Sequence, residues 1–204
     1  VNDVYNHTKE VLSALKEKSV YPEWVQVGNE IPNGMLWPEG KTENFNQLSE
    51  LLNSGYDAVK EIFTYTKVII HLDQGDDRNR FIEFFDKHKA NGGKYDVIGV
   101  SYYPYWVNKN YKETIDNLMN NLNEYIDIYG KEVMVCEIGG EDTEVEDTYN
   151  MLKEVIERVR EIPQGKGLGV FYWEPEGAFS WSKYKLSAWG ADGKPSKALD
   201  AFIY

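Results

Sequence analysis

The sequence predicts an α/β fold built on a parallel sheet, and three observations carry that expectation. Five short runs are nearly continuous in Val, Ile and Leu, as strands covered on both faces must be. Stretches with apolar residues at helical spacing separate them, so strand and helix alternate along the chain. Each strand also ends in polar or aromatic residues, which a parallel sheet gathers on one rim.

The elements follow in order. Val4, Val11, Leu12 and Leu15 share one face of a first helix over about residues 4–18, with Pro22 just beyond its end. Trp24-Val25-Gln26-Val27 forms a strand that runs into the loop Gly28-Asn29-Glu30. A helix over about 42–65 leads to the strand Lys67 to Leu72, which ends at His71 and Asp73. A helix over about 78–89 precedes the strand Tyr95 to Ser101, whose end carries Tyr102 and Tyr103. Helix 112–129 leads to the strand Glu132 to Glu137, and helix 147–161 to the strand Gly167 to Trp173, with Glu174 next. Pro195 opens a last helical stretch.

With 204 residues, the chain is expected to be one domain spanning 1–204, at roughly 150 residues per domain. Its aromatic content of 14% is far from a disordered composition. A net charge of −12 repels phosphate backbones and anionic membrane surfaces, which argues against nucleic acid as a partner. No apolar run approaches the ~20 residues of a membrane span. The single cysteine, Cys136, excludes an internal disulfide and leaves the compartment open. Gly139-Gly140 lacks the spacing of a phosphate-binding turn, so nucleotide binding is disfavoured.

Strand-end chemistry on one rim is the arrangement of a (β/α)8 barrel, yet only five strands are visible. Leaving the inner face of five strands wet would cost an amount comparable with the ~5–15 kcal/mol net stability of a domain. The missing barrel strands are therefore expected from upstream sequence or from a partner chain. Glu30 and Glu137 end two of the strands, and paired carboxylates are what glycoside cleavage requires. By themselves two such residues in an acidic chain are equally well read as structural or solvated. Trp37, Tyr102, Tyr103, Tyr105, Trp106 and Trp173 surround them in the sequence, and flat aromatic groups of this kind stack on sugar rings.

The run from Trp24 to Pro38, WVQVGNEIPNGMLWP, closely resembles the acid/base signature of the arabinogalactan endo-β-1,4-galactanases, glycoside hydrolase family fifty-three in clan A. The resemblance continues through Ile70-His71-Leu72, Val97 to Trp106, Val135-Cys136-Glu137 and Gly169 to Pro175, and so covers nearly the whole chain. It implies a (β/α)8 barrel of which this chain supplies strands four to eight. It implies further that Glu30 is the general acid and then base, and Glu137 the nucleophile of a retaining double displacement. Glu30 would then need its proton held by an apolar surround and the charge of Glu137, while Glu137 would stay ionised with help from Tyr102 or Tyr103.

On the same resemblance Asn29 would meet the sugar 2-hydroxyl, His71 would line the cleft, and Trp173 would floor the reacting subsite. Trp37 and Trp106 would stack on flanking units, and Glu174 would contact substrate. No cofactor is implied. Some bacterial relatives hold calcium in a long loop after the seventh strand, but the loop after Glu137 is short here and no metal is expected. Its glycine-rich start, Ile138-Gly139-Gly140, departs from the family pattern and puts chain-length preference in doubt. Secretion is implied by the family alone.

Other residues have plainer readings. His7 and His88 lie on helical stretches and read as surface groups. Cys136 should point away from the cleft by strand alternation and act as a small core hydrophobe. The acidic run Glu141 to Asp147 reads as a solvated loop feeding a helix N-terminus. Trp24 reads as packing, and Trp181 and Trp189 serve equally as groove wall or as barrel cover. The reaction expected is hydrolysis of β-1,4-galactosidic bonds in galactan, with the polysaccharide as the partner. The rivals are another β-linked polysaccharide handled by the same clan, or a non-catalytic carbohydrate-binding domain.

Overall fold

A computed structural model describes residues 1–203. The elements in chain order are α1 (Asn2–Glu17), β1 (Trp24–Gln26), β2 (Gly34–Met35), β3 (Gly40–Lys41), α2 (Phe45–Ile62), β4 (Lys67–Leu72) and α3 (Arg78–Ala90). They continue with β5 (Val97–Tyr102), α4 (Ile115–Tyr129), β6 (Glu132–Ile138), α5 (Val145–Arg160), β7 (Gly167–Tyr172) and α6 (Phe179–Ser182). The alternation predicted from hydrophobic patterning is present. The stretch after Pro195 forms only a 3-10 turn, Lys197–Phe202, and the short ladder of β2 and β3 was not visible in the pattern because two-residue strands carry no periodicity.

The chain divides into two compact units, the first made of residues 1–73 and 79–99 and the second of residues 74–78 and 100–204. In the first, β4 lies between β1 and the start of β5, and β1 pairs with β4 in parallel. The helix α2 covers this sheet with Leu48, Leu52, Ala58 and Val59, all fully buried. Gly55 of α2 sits where a Cβ would press on Val27 at 2.7 Å, so helix and strand approach closely there. Phe81, Phe84 and Phe85 of α3 complete the core, packed edge to face and stacked.

His88 corrects an expectation: it is fully buried, not a surface group, and its Nδ1 lies 2.9 Å from Ser49 Oγ. Burial pushes its pKa down to about 4, so the ring is neutral near pH 7. A local helix pattern could not show this, because the face of α3 that carries His88 is covered by a residue from α2.

In the second unit the end of β5, then β6 and then β7 lie side by side, with β6 and β7 parallel. The apolar faces of α4 (Leu118, Met119, Leu122, Tyr125) and α5 (Met151, Leu152, Val155, Val159) form the core. Gly130 closes α4 in the left-handed conformation that a helix end favours, and Glu146 and Asp147 occupy the first turn of α5, where the helix dipole favours anions. The strands β4 and β5 are almost wholly buried, whereas β1 is half-buried and so is β7 apart from Phe171, which is 53% exposed.

Candidate active site

The first unit builds one half of the candidate chemistry on the end of β1. The Val27 N–H donates to Ile69 O at 3.1 Å and the Ile31 N–H to His71 O at 3.0 Å. The chain thus advances four residues while its partner strand advances two, and the two-residue surplus makes the segment Gly28-Asn29-Glu30 bulge out. Gly28 (φ 80) and Glu30 (φ 46) take left-handed backbone conformations to make this excursion. For glutamate that conformation carries strain of order 1 kcal/mol, sustained here because Val27 and Ile31 are buried anchors on either side.

Asn29 is oriented by two neighbours. Its Oδ1 accepts from Gln26 Nε2 at 2.8 Å and lies 3.3 Å from His71 Nδ1. The amide oxygen is therefore committed, and the amide nitrogen is left as the donor available to a ligand. His71 has no exposed surface, and burial lowers its pKa to about 4, so it acts as a neutral ring that fixes Asn29. Trp37 stands on the loop between β2 and β3 with 61% of its surface exposed. Its Nε1 donates to Asn33 O at 3.1 Å and Lys41 Nζ lies 5.2 Å from its ring, so the indole is held with a face to solvent.

The second unit builds the other half around Glu137. This carboxylate is 7% exposed, near the end of β6, and Tyr103 Oη donates to its Oε2 at 3.0 Å. Burial first, then the neighbouring Tyr184 and Glu137, push the Tyr103 pKa upward, so the phenol keeps its proton and remains a donor. Tyr184, in the loop after α6, hydrogen-bonds Tyr103 in turn. Its position beyond the last helix carries no motif, and nothing in the sequence pattern pointed to it.

Tyr102 is a correction. It is fully buried, and its hydroxyl meets Tyr111 O at 3.1 Å and Thr114 Oγ1 at 2.8 Å, so it packs the core and does not face a ligand. Adjacent residues on a strand point to opposite faces, and of the two tyrosines only Tyr103 turns toward Glu137.

Cys136 departs from expectation as well. Val135 pairs with Val170 and Ile138 with Tyr172, so β6 spends three residues where β7 spends two. This irregularity breaks strict alternation, and Cys136 is half-buried rather than enclosed. Burial nonetheless pushes its thiol up to about 12, which leaves it unreactive.

Trp106 and Trp173 are 61% and 46% exposed, the first packed edge to face on Tyr105 with centroids 4.8 Å apart. The Trp173 N–H donates to Ile138 O at 3.1 Å, which ties the end of β7 to the end of β6. Glu174 follows in a left-handed conformation (φ 45), and its carbonyl accepts from the Gly177 N–H at 3.0 Å. Its carboxylate is exposed. Each unit therefore ends a strand in one glutamate, Glu30 or Glu137, accompanied by an oriented amide or phenol and by an open aromatic face.

Residues 1–201 match the family model described as glycosyl hydrolase family 53. The chain belongs to that family. It is 35% identical to an uncharacterized protein in the bgaB 5' region of Niallia circulans, over 92% of this chain and 59% of that one. It is 33% identical to a probable arabinogalactan endo-beta-1,4-galactanase A of Aspergillus tubingensis, over 84% of this chain and 54% of that one.

Among solved structures, the family 53 catalytic domain of Ignisphaera aggregans matches with a TM-score of 0.87 at 27% identity, covering 99% of this chain and 64% of that one. A fungal beta-1,4-galactanase matches with a TM-score of 0.86 at 26% identity, covering 98% of this chain and 67% of that one. The family 53 fold class is the (β/α)8 barrel, and the five parallel strand and helix units seen here are part of one. The chain spans little more than half the length of the curated relatives it matches.

Proposed function

We propose that this family 53 chain is the part of an endo-β-1,4-galactanase that carries both catalytic carboxylates, cleaving galactan or arabinogalactan with retention. The observation that carries the reading is the Tyr103 to Glu137 hydrogen bond, which holds a buried carboxylate at a strand end with a donor that cannot itself ionise near neutral pH. Support comes from the galactanases named among the relatives.

In this reading Glu137 attacks the anomeric carbon while Glu30 gives its proton to the departing glycosidic oxygen. A covalent glycosyl ester forms at Glu137. Glu30, now a carboxylate, takes a proton from water, and the resulting nucleophile displaces Glu137 and restores the original configuration. The Asn29 amide nitrogen donates to the 2-hydroxyl, a contact that strengthens as positive charge builds on the ring. Tyr103 holds the attacking oxygen of Glu137 in place, and Trp173, Trp37 and Trp106 offer stacking surfaces to the reacting and flanking sugars. Glu174 accepts from a sugar hydroxyl.

The reaction needs both carboxyl groups at one bond, and the strands that complete the barrel belong to the same proposal, supplied by upstream sequence or by a partner chain. No helix among the described residues is long and apolar enough to cross a membrane. Action outside the cell, on a polymer that cannot enter it, follows from the proposed substrate. The test is release of reducing ends from galactan by the full-length protein and by its Glu137→Gln variant, with xylan and β-glucan as parallel substrates. Galactan cleavage by the parent, with a loss of at least 1,000-fold in the variant, is expected. Retained activity in the variant removes Glu137 from the mechanism, and cleavage of another polymer in place of galactan reassigns the sugar.

A further inference from the structure

Beside the proposed nucleophile strand, and wholly within the second unit, lies a cavity of about 640 Å3 whose lining, apart from Trp106, has no part in the proposed reaction. It falls within the ~300–1,000 Å3 range of small-ligand sites. One wall is the 3-10 segment Pro104–Val107 with the loop that follows, and the opposite wall is the loop from Gly139 into the first turn of α5. The two walls differ in chemistry. Tyr105 and Trp106 form an edge-to-face aromatic pair with the Trp106 face largely open. Glu141, Glu144 and Asp147 line the other side, with Lys109 as the counter-charge.

The polar groups are of two kinds. Asp147 accepts from Asn110 Nδ2 at 3.0 Å, and Asn110 in turn caps the turn at Tyr111, so this pair braces the rim. The side chains of Asn108, Lys109, Glu141 and Glu144, by contrast, have no hydrogen-bond or ion-pair partner among the described residues. The cavity is held open by its backbone. Thr148 Oγ1 donates to Glu141 O at 3.1 Å, and a Cβ on Gly140 would overlap the Thr148 side chain, so the loop lies flat on α5 only because residue 140 is glycine.

From this arrangement we infer that the cavity is an accessory subsite for a neutral glycosyl unit. The unit stacks on the Tyr105 and Trp106 wall and donates its hydroxyls to the carboxylates of Glu141 and Glu144. An aromatic face opposed to unpartnered acceptors fits the two surfaces of a sugar, one of C–H groups and one of hydroxyls. The excess of carboxylates over the one lysine disfavours uronic acids, whose charge would face the exposed carboxylates of Glu141 and Glu144. The glycine-rich start of this loop is thereby a specificity feature. The inference rests on the galactanase reading for its polymer and goes beyond it in assigning a second place where that polymer is gripped. The unit is either a backbone galactose beyond the reacting pair or a side branch.

The test uses the full-length protein and its Glu141→Ala/Glu144→Ala double variant. Calorimetric titration in a Glu137→Gln background with linear galacto-oligosaccharides of increasing length, and with branched ones, measures binding without turnover. Affinity for the ligand that reaches the cavity should fall about tenfold in the double variant. Hydrolysis of a short aryl β-galactoside by the same double change in an otherwise active protein should be unaltered. A loss with long linear chains identifies a backbone unit, and a loss confined to branched chains identifies a branch.

Oligogalacturonates should not compete. Equal affinity of parent and double variant for every oligosaccharide overturns the subsite. So does saturable calcium binding that the double variant abolishes, which would make the acidic wall a cation site. Absence of galactan cleavage by the parent would instead remove the underlying galactanase reading, and tight binding of a different neutral oligosaccharide would show the cavity surviving it.

Discussion

The Tyr103 hydroxyl donates to Glu137 Oε2 at 3.0 Å, and Tyr184 stands behind it as a second phenol. A carboxylate that is 7% exposed has few waters to solvate its charge, so a fixed donor replaces them.

Removing that donor should therefore cost catalysis more than folding. Tyr103→Phe is expected to lower kcat by about 10- to 100-fold, the worth of a hydrogen bond to a charged group at ~1.5–3 kcal/mol. KM and the melting temperature should change little. Steady-state kinetics with a thermal melt on the same sample checks this, and an unaltered kcat would show that Tyr103 holds Glu137 without bearing on its reaction.

The two glutamates should separate by leaving group. With Glu30→Gln, cleavage of galactan is expected to fall by ~100-fold or more, whereas an aryl galactoside with an acidic phenol needs no proton and should still form the glycosyl intermediate. Glu137→Gln should lose both reactions. Burst kinetics with an aryl substrate distinguishes them, and equal losses for both substrates in Glu30→Gln would contradict the acid role.

Stability should fall on mild acidification because of His71 and His88. Each is held neutral by burial, with a pKa of about 4 against 6.5 for the free side chain. The unfolded chain then binds more protons between these two values, so the stabilisation is complete above pH 6.5 and is lost as pH falls toward 4. The loss is on the order of 3 kcal/mol per histidine. Urea midpoints measured from pH 7.5 to pH 4 should decline, and His88→Gln should reduce the slope. A midpoint independent of pH over that interval would mean that neither ring is buried neutral.

Gly34 positions the loop that bears Trp37. Its φ of 91 lies outside the range of ordinary side chains, and a Cβ there would overlap Gly40 O across the β2 and β3 ladder. Gly34→Ala should destabilise by about 2 kcal/mol and raise KM for long galactan chains, as Trp37→Ala should without the loss of stability. Melting temperature and KM on the two variants check the distinction.

Much of the fold was legible because it rests on short-range periodicity. The runs Lys67 to Leu72 and Glu132 to Glu137 are so uniformly apolar that only a strand covered on both faces accommodates them, and both occur within one residue of the predicted limits. Glu30 and Glu137 were legible for a different reason, their place at the ends of such runs. His88, Tyr102 and Tyr184 were not, since each owes its environment to a residue distant in sequence or to the sense in which a strand faces.

The sequence by itself determined the order of strands and helices, the residues at each strand end and the motif that joins this chain to its family, because each is written in consecutive residues. Tertiary structure alone decided that Tyr103 and not Tyr102 reaches Glu137, that Asn29 commits its amide oxygen to Gln26 and His71, and that Cys136 escapes full burial. The reason is the same in the last two cases. A strand's alternation can be read only until an extra residue is inserted, and the insertions after Val27 and Val135 are fixed by hydrogen bonds to neighbouring strands that no local pattern encodes.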